Sequence, residues 1–504
     1  MNSFVSSVGL KGLEGYRIQV EVHAQLGLES ITIVGLPDAS VRESKRRVAA
    51  ALYSAGYSIN GQKIMINLSP SELRKNGPQF DLPIAIGILK ALNLLTIQDL
   101  DQIGFIGALS LDGNIQPTVG MLPAILAAKK LDFKVLYIPY DETLPTLHFE
   151  KINIIYVSSL IEVIQHLLGA PIETEHTSKI ERKHPMPSSS RFFFQQIIGH
   201  AYPKYAMEVA AAGEHHMLMT GPPGCGKSML AESFPSILPP LSRDAQLEMI
   251  SLYQLAGASI IDHENPPFRN PHHSASGISI IGGGQIPKPG EISLAHRGVL
   301  FLDEIAEFTR KTLEMLRQPI ECGNVTIARA RSTLSFPAAF ILIGAMNPCP
   351  CGYSGANTHY CVCTNKEVVA YQNKLSGPIR DRFDIYINLK AIDMRKAILQ
   401  KQENSEQVQK RVIEARERQY HRYGMEMTNS KVPFETLIKD QPLTQGQLQN
   451  LQELSLKRNW RNRVQIKFIR LARTIADLDK IDKITDTHLY EAIKLRAASN
   501  IDIR

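Results

Sequence analysis

The chain has 504 residues, of which 44% are apolar and 21% charged, and its formal net charge is +7. That length is too great for one core and implies about three domains. The composition excludes a disordered or fibrous chain, and the mild positive charge permits nucleic-acid binding without demanding it. The start, MNSFVSSVGLKGLEG, has no basic segment followed by an apolar run, so no secretory signal is expected. No apolar stretch reaches the roughly 18 residues of a membrane span; IAIGILKALNLL is shorter and carries Lys90. A cytoplasmic protein with no membrane partner is expected, in a compartment where stable disulfides are rare.

Residues 1–168 alternate strand-like runs (YRIQVEVHA, ESITIVGL, KIMINLS, VLYIP) with helical ones (ASVRESKRRVAAALYSAG, DLPIAIGILKALNLL). That alternation predicts an α/β domain. Residues 169–191 are polar, contain proline and lack apolar periodicity, which marks a linker. A second α/β domain is predicted over 192–390. From 391 to 504 the pattern is helical, broken near MTNSKVPF and KDQPLTQGQ.

The second domain carries the strongest chemistry. HHMLMTGPPGCGKSMLAESF holds a G-x-x-x-x-G-K-S loop: Gly221, Pro222, Pro223, Gly224, Cys225, Gly226, Lys227 and Ser228. An apolar strand pattern precedes it and a helix pattern follows, the setting this phosphate-binding loop requires and a chance glycine turn would lack. Its glycines let backbone N–H groups curl around phosphates at a helix N-terminus. Lys227 can reach the β- and γ-phosphates of ATP, and the Ser228 hydroxyl can hold Mg²⁺. A second apolar run, GVLFLDEI, ends in Asp303 and Glu304. Alone, such an acidic strand end usually just faces solvent. Beside the loop, Asp303 can bind Mg²⁺ through water and Glu304 can polarise the attacking water. Asn347, at the end of FILIGAMN, falls where a polar group can orient that water.

Directly after Asn347, NPCPCGYSGANTHYCVC holds Cys349, Cys351, Cys361 and Cys363, four of the six cysteines. Four thiolates as two Cys-x-Cys pairs can form a closed tetrahedral Zn²⁺ site. The insertion, 349–363, is too short and polar to bury a core of its own, so a structural metal would fold it. Free thiols in a loop and a disulfide pair are the alternatives, and His359 can replace one thiolate.

The order of phosphate loop, LFLDE, strand-end Asn and GPIRDRFD resembles AAA+ ATPases. FRNPHHSASGISIIGGGQIPKPGEISLAHRGVLFLDEI resembles the magnesium-chelatase-like branch and, within it, the ComM/YifB family. The likeness extends to VGLPDASVRESKRRVAAAL and NLSPSELRKNGPQFDLPIAIGIL near the start and RLARTIADLD near the end. It implies a hexameric DNA helicase that drives branch migration on single-stranded and branched DNA during natural transformation, working with recombination proteins. Arg382 in DRFD matches the arginine finger that enters a neighbour's ATP site, the alternative being a surface ion pair with Asp381 or Asp384. Arg463 aligns with the lid arginine, with Arg461 as competitor. Arg329 and Arg331, in a predicted hairpin, and Lys288, beside Gly282–Gly284, match inserts that face the central pore and would hold DNA phosphates. The basic run KRNWRNRVQIKFIRLAR could bind DNA or face helix partners.

The first domain resembles the proteolytic domain of Lon, but Gln79 stands where its serine nucleophile belongs and Leu122 where its lysine belongs. An amide and an alkyl chain cannot form an activated nucleophile. The expected architecture is thus a Lon-like α/β domain without peptidase chemistry, an AAA+ α/β domain with pore inserts and a zinc insertion, and a helical lid. A remodelling ATPase acting on a protein or a chelatase-type complex is the alternative function.

Overall fold

Apolar residues alternate along the strand Glu14–Leu26, so Ile18, Val20, Val22 and Ala24 are buried on one face. This is one strand of the computed structural model, which describes residues 2–95, 100–141, 144–145, 151–171, 192–259, 262–284, 287–329, 332–355, 359–390, 402–440, 443–458 and 460–497. The linker expected over 169–191 lies outside the described residues from 172 onward. The chain divides into two units, residues 1–184 with 250–259, and 185–249 with 260–504. Among the described residues, no helix is long and apolar enough to cross a membrane.

The first unit is built on a mixed seven-stranded sheet. Its order is Ser30–Val34, Gln62–Ser69, Glu14–Leu26, Asn2–Lys11, Ile103–Phe105, Val135–Pro139 and Asn153–Val157. The helix Asp81–Ala91 is apolar almost all round and accordingly buried on nearly every side. Its one buried charge, Asp81, is held by Arg47 at 2.6 and 3.1 Å and by the Leu109 N–H at 3.2 Å. Two residues before it, Gln79 uses its carbonyl to accept from the Gly107 N–H at 3.0 Å. Leu122 is fully buried in the helix Met121–Lys130.

The second unit has a five-stranded, all-parallel sheet. Its order is Phe268–Arg269, Val299–Leu302, Ile341–Met346, Met217–Thr220 and Ile385–Asn388. Helices cover both faces of such a sheet, which is why VLFL and ILIGAM are unbroken apolar runs. The helical region does not stand apart from this sheet. Val412 and Ala415 of the helix Ser405–Tyr423, and Leu471 and Ile475 of the helix Asn462–Leu478, share one core with Val209, Leu230 and Ile343.

Candidate ATP site and cysteine cluster

Parallel register brings the predicted site residues together. Thr220, the last residue of the P-loop strand, lies opposite Met346, and Leu302 lies opposite Gly344. The residues that follow these strands, Gly221, Asn347 and Asp303, therefore emerge at the same end of the sheet. The loop then turns through Gly224 at φ +75° and Gly226 at φ +88°, backbone that L side chains rarely adopt. The helix Lys227–Ser233 starts directly after it.

Lys227 Nζ donates to the carbonyls of Gly221 and Pro222 at 2.7 and 2.9 Å and to Asn347 Oδ1 at 3.1 Å. Burial lowers its pKa, against the raising effect of Cys225, Asp303 and Glu304. The Ser228 hydroxyl donates to Asp303 Oδ2 at 2.8 Å. These two oxygens are hard donors at the spacing Mg²⁺ prefers, so the pair fits that ion. Glu304 has φ +47°, and its N–H is held by Asp303 Oδ1 at 2.9 Å.

Two neighbours of this site were not picked out in the sequence. His200, itself at φ +56°, has Nε2 3.0 Å from the Cys225 carbonyl and so ties the segment before the P-loop strand to the loop. Gly199 beside it lines a pocket of about 320 Å³ with Phe194, Lys204, Tyr205 and Arg411. His273 Nδ1 lies 3.6 Å from Glu304 Oε2. The dipeptide His272–His273 next to the short strand Phe268–Arg269 was the available signal.

The two arginines lie elsewhere. Ile385 pairs with Met217, the first residue of the P-loop strand, and Arg382 precedes Ile385 by three residues. Arg382 thus precedes its strand at the end of the sheet opposite to the one from which the P-loop emerges, and a strand of four residues spans roughly 13 Å. Its partner is neither Asp381 nor Asp384: its guanidinium meets Glu321 Oε1 at 2.7 Å. Arg463 meets the same oxygen at 2.6 Å. Arg382 Nε is buried with no acceptor among the described residues, and burial lowers the guanidinium pKa.

The basic run of the helical region separates by depth. Lys457, Arg458, Arg461 and Arg463 are exposed. Arg470 instead donates to the Val432 carbonyl at 2.7 Å, and buried Arg473 pairs with Asp477 at 3.1 Å. Lys288 is exposed in a two-stranded hairpin with Gly282–Gly283. Arg329 ends a strand, Asn324–Arg329, paired antiparallel with Ser332–Pro337. Arg331 lies outside the described residues.

The sulfurs of Cys349, Cys351, Cys361 and Cys363 lie within 4.8 Å of one another. Three separations are 3.3, 3.5 and 3.7 Å. The edge of a tetrahedron with metal–sulfur bonds of 2.3 Å is about 3.8 Å, so the quartet fits a zinc ion. A hydrogen bond from the Tyr353 backbone and the neighbouring thiols bring the Cys351 thiol down to about 6, while Cys361 and Cys363, beside it, are pushed up, so without a cation the negative charge settles on one sulfur of the group. His359 is turned to Tyr353, with ring centroids 4.7 Å apart. Gly352 sits so close to the P-loop that an added Cβ would be 2.8 Å from Pro223. The cluster therefore borders the ATP site directly.

Comparison with known proteins follows the whole chain. Residues 193–397 match the family described as magnesium chelatase, subunit ChlI. Residues 20–142 match subunit ChlI of Mg-chelatase, and 402–496 match the C-terminal part of that subunit. The YifB protein of Escherichia coli (strain K12) is 37% identical over 99% of this chain and 98% of its own length. The competence protein ComM of Haemophilus influenzae is 37% identical over 98% of this chain and 97% of its own length. Lon protease 2 of Bacillus subtilis is 29% identical over 32% of each chain. With a phosphate loop, a paired acidic strand end and near-full-length identity to both YifB and ComM, the chain belongs to the ComM/YifB family of magnesium-chelatase-like AAA+ proteins.

Proposed function

We propose that this protein is an ATP-driven hexameric DNA translocase that promotes branch migration while incoming DNA recombines in natural transformation. The observation that carries the reading is the separation of Arg382 from its own P-loop. Lys227, Ser228, Asp303, Glu304 and Asn347 share one end of the sheet, and the arginine that would neutralise transition-state charge sits at the other. The site is completed only when a second copy presents its arginine, which a closed ring does at every interface. Likeness to a competence protein favours DNA of transformation as the substrate.

In this reading Lys227 holds the β- and γ-phosphates, and Ser228 and Asp303 hold Mg²⁺, which supplies charge neutralisation. Glu304 takes the proton of the attacking water and Asn347 orients it. Arg382 of a neighbouring copy meets the γ-phosphate, and Arg463, sharing Glu321 with it, arrives at the same neighbour's site. The zinc-bound cysteine knob stiffens the segment after Asn347. Lys288, Arg329 and Arg331 contact DNA phosphates without reading sequence.

A second reading, a remodelling ATPase acting on a protein or chelatase-type complex, is favoured by the descriptions of all three matching families. ATPase assays with and without single-stranded DNA, together with three-strand branch migration, separate the two. DNA-stimulated hydrolysis and ATP-dependent migration are expected. Hydrolysis that ignores DNA, with no migration, would transfer the assignment to the second reading.

A further inference from the structure

Lys467 lies one turn beyond Arg463 on the helix Asn462–Leu478. Its ammonium donates to the carbonyls of Arg382 and Phe383, each at 3.0 Å, and pairs with Asp384 Oδ1 at 2.7 Å. A lysine ammonium has three donor protons, and these contacts account for all of them. The three acceptors are consecutive residues, the arginine itself and the two that follow. Residues four apart share a helix face. One face of one helix thus reaches Arg382 by two routes: Lys467 holds its backbone directly, and Arg463 shares the Glu321 carboxylate with its guanidinium. Asp384 is fixed from the sheet side by the His216 N–H at 3.1 Å and by His215 Nδ1 at 3.6 Å.

We infer that Lys467 is the positioning residue of Arg382, locking the arginine turn to the helical region so that the two move as one body. This rests on the reading that Arg382 serves a neighbouring copy's nucleotide. It adds the route by which one subunit's helical region governs the next subunit's hydrolysis.

The groups facing Lys467 give the contact a pH signature. Burial brings the Lys467 amine down to about 8; Asp384 and Asp381 oppose that shift and Arg496 adds to it. Despite burial, Lys467 and the adjacent histidines hold Asp384 well below the usual carboxylate range. Burial takes His216 down to about 4, so it is neutral near neutral pH. Above about pH 8 the amine loses its proton, and with it the ion pair to Asp384 and one donor. The folded-state value lies below the 10.5 of an unperturbed lysine, so rising pH through this window favours the folded chain. Activity lost through deprotonation of Lys467 is therefore not a loss of stability from that group.

The test uses the full chain in assembled form. Lys467→Met should lower ATPase kcat roughly 10- to 100-fold, the cost of a small misplacement of a catalytic group, at unchanged KM for ATP. Lys467→Arg should keep most activity at neutral pH and remove the decline seen in the native chain above about pH 8. Mixed with Lys227→Ala chains, Lys467→Met chains should regain activity, because their intact P-loops then meet intact arginines. Mixed with Arg382→Ala chains they should not. A folded Lys467→Met chain with native kcat, or one that Lys227→Ala cannot complement, overturns the inference. If Lys467→Met does not fold, identical alkaline limbs for the native chain and Lys467→Arg overturn it. Full activity in Arg382→Ala would instead remove the reading beneath it.

Discussion

The Ser228 hydroxyl donates to Asp303 Oδ2 at 2.8 Å, joining the start of the P-loop helix to a strand end 75 residues away. The pair presents two hard oxygens to one point in space. Ser228→Ala and Asp303→Asn should each weaken Mg²⁺ binding by roughly 10- to 100-fold, as losing a ligand-shell group does. Titrating ATPase against Mg²⁺ measures it, and an unchanged half-saturation point in both variants removes the metal from this pair.

Lys227 donates to Asn347 and to two loop carbonyls. Lys227→Ala should abolish ATP turnover. Glu304→Gln should still bind ATP but lose roughly 100-fold or more in kcat, the range for a general base. Equilibrium nucleotide binding and single-turnover hydrolysis separate the two effects. Normal turnover by Glu304→Gln would mean that another group takes the proton.

Arg382 and Arg463 meet on one oxygen of Glu321, and Arg382 lies at the end of the sheet opposite the P-loop. Arg382→Ala should therefore keep ATP binding and lose about 10³-fold or more in kcat. Mixing it with Lys227→Ala should restore part of the activity in rings shown to be mixed. No recovery in such rings counts against action across subunits.

The cysteine quartet should hold about one zinc per chain, measured by elemental analysis after purification without chelator. Zinc should be lost in the Cys349→Ser, Cys351→Ser variant. Because the P-loop lies on separate backbone, that variant should still bind ATP while losing DNA-coupled activity. Protein that carries no metal under these conditions sinks the zinc assignment.

DNA binding should fall steeply with salt and depend little on base sequence, since Arg329, Arg331 and Lys288 would meet phosphates. Each lost contact should reduce the salt slope by about 0.7 for a single strand. Arg329→Ala with Arg331→Ala should leave ATPase intact and stop branch migration. Equal migration by the double variant takes the hairpin out of the DNA path.

The phosphate loop, the Asp303–Glu304 strand end, Asn347 and the four cysteines were all legible in the sequence. Each depends on local chemistry: backbone angles open to glycine, unbroken apolar strands, or thiols at short spacing. Other features had no such local signature. Glu321 as the partner of both arginines lies 61 residues from Arg382 and 142 from Arg463 in the chain. His200, at the start of the helix Ala201–Gly213, meets the P-loop, and His273, after the strand Phe268–Arg269, meets Glu304, only because the fold brings separate segments together. KRNWRNRVQIKFIRLAR looked uniformly basic. Packing buried Arg473, turned Lys467 and Arg470 onto carbonyls, and left Arg463 exposed. A lysine's charge is written in its side chain, but whether that charge meets water, DNA or a buried carbonyl is set by what the fold packs against it.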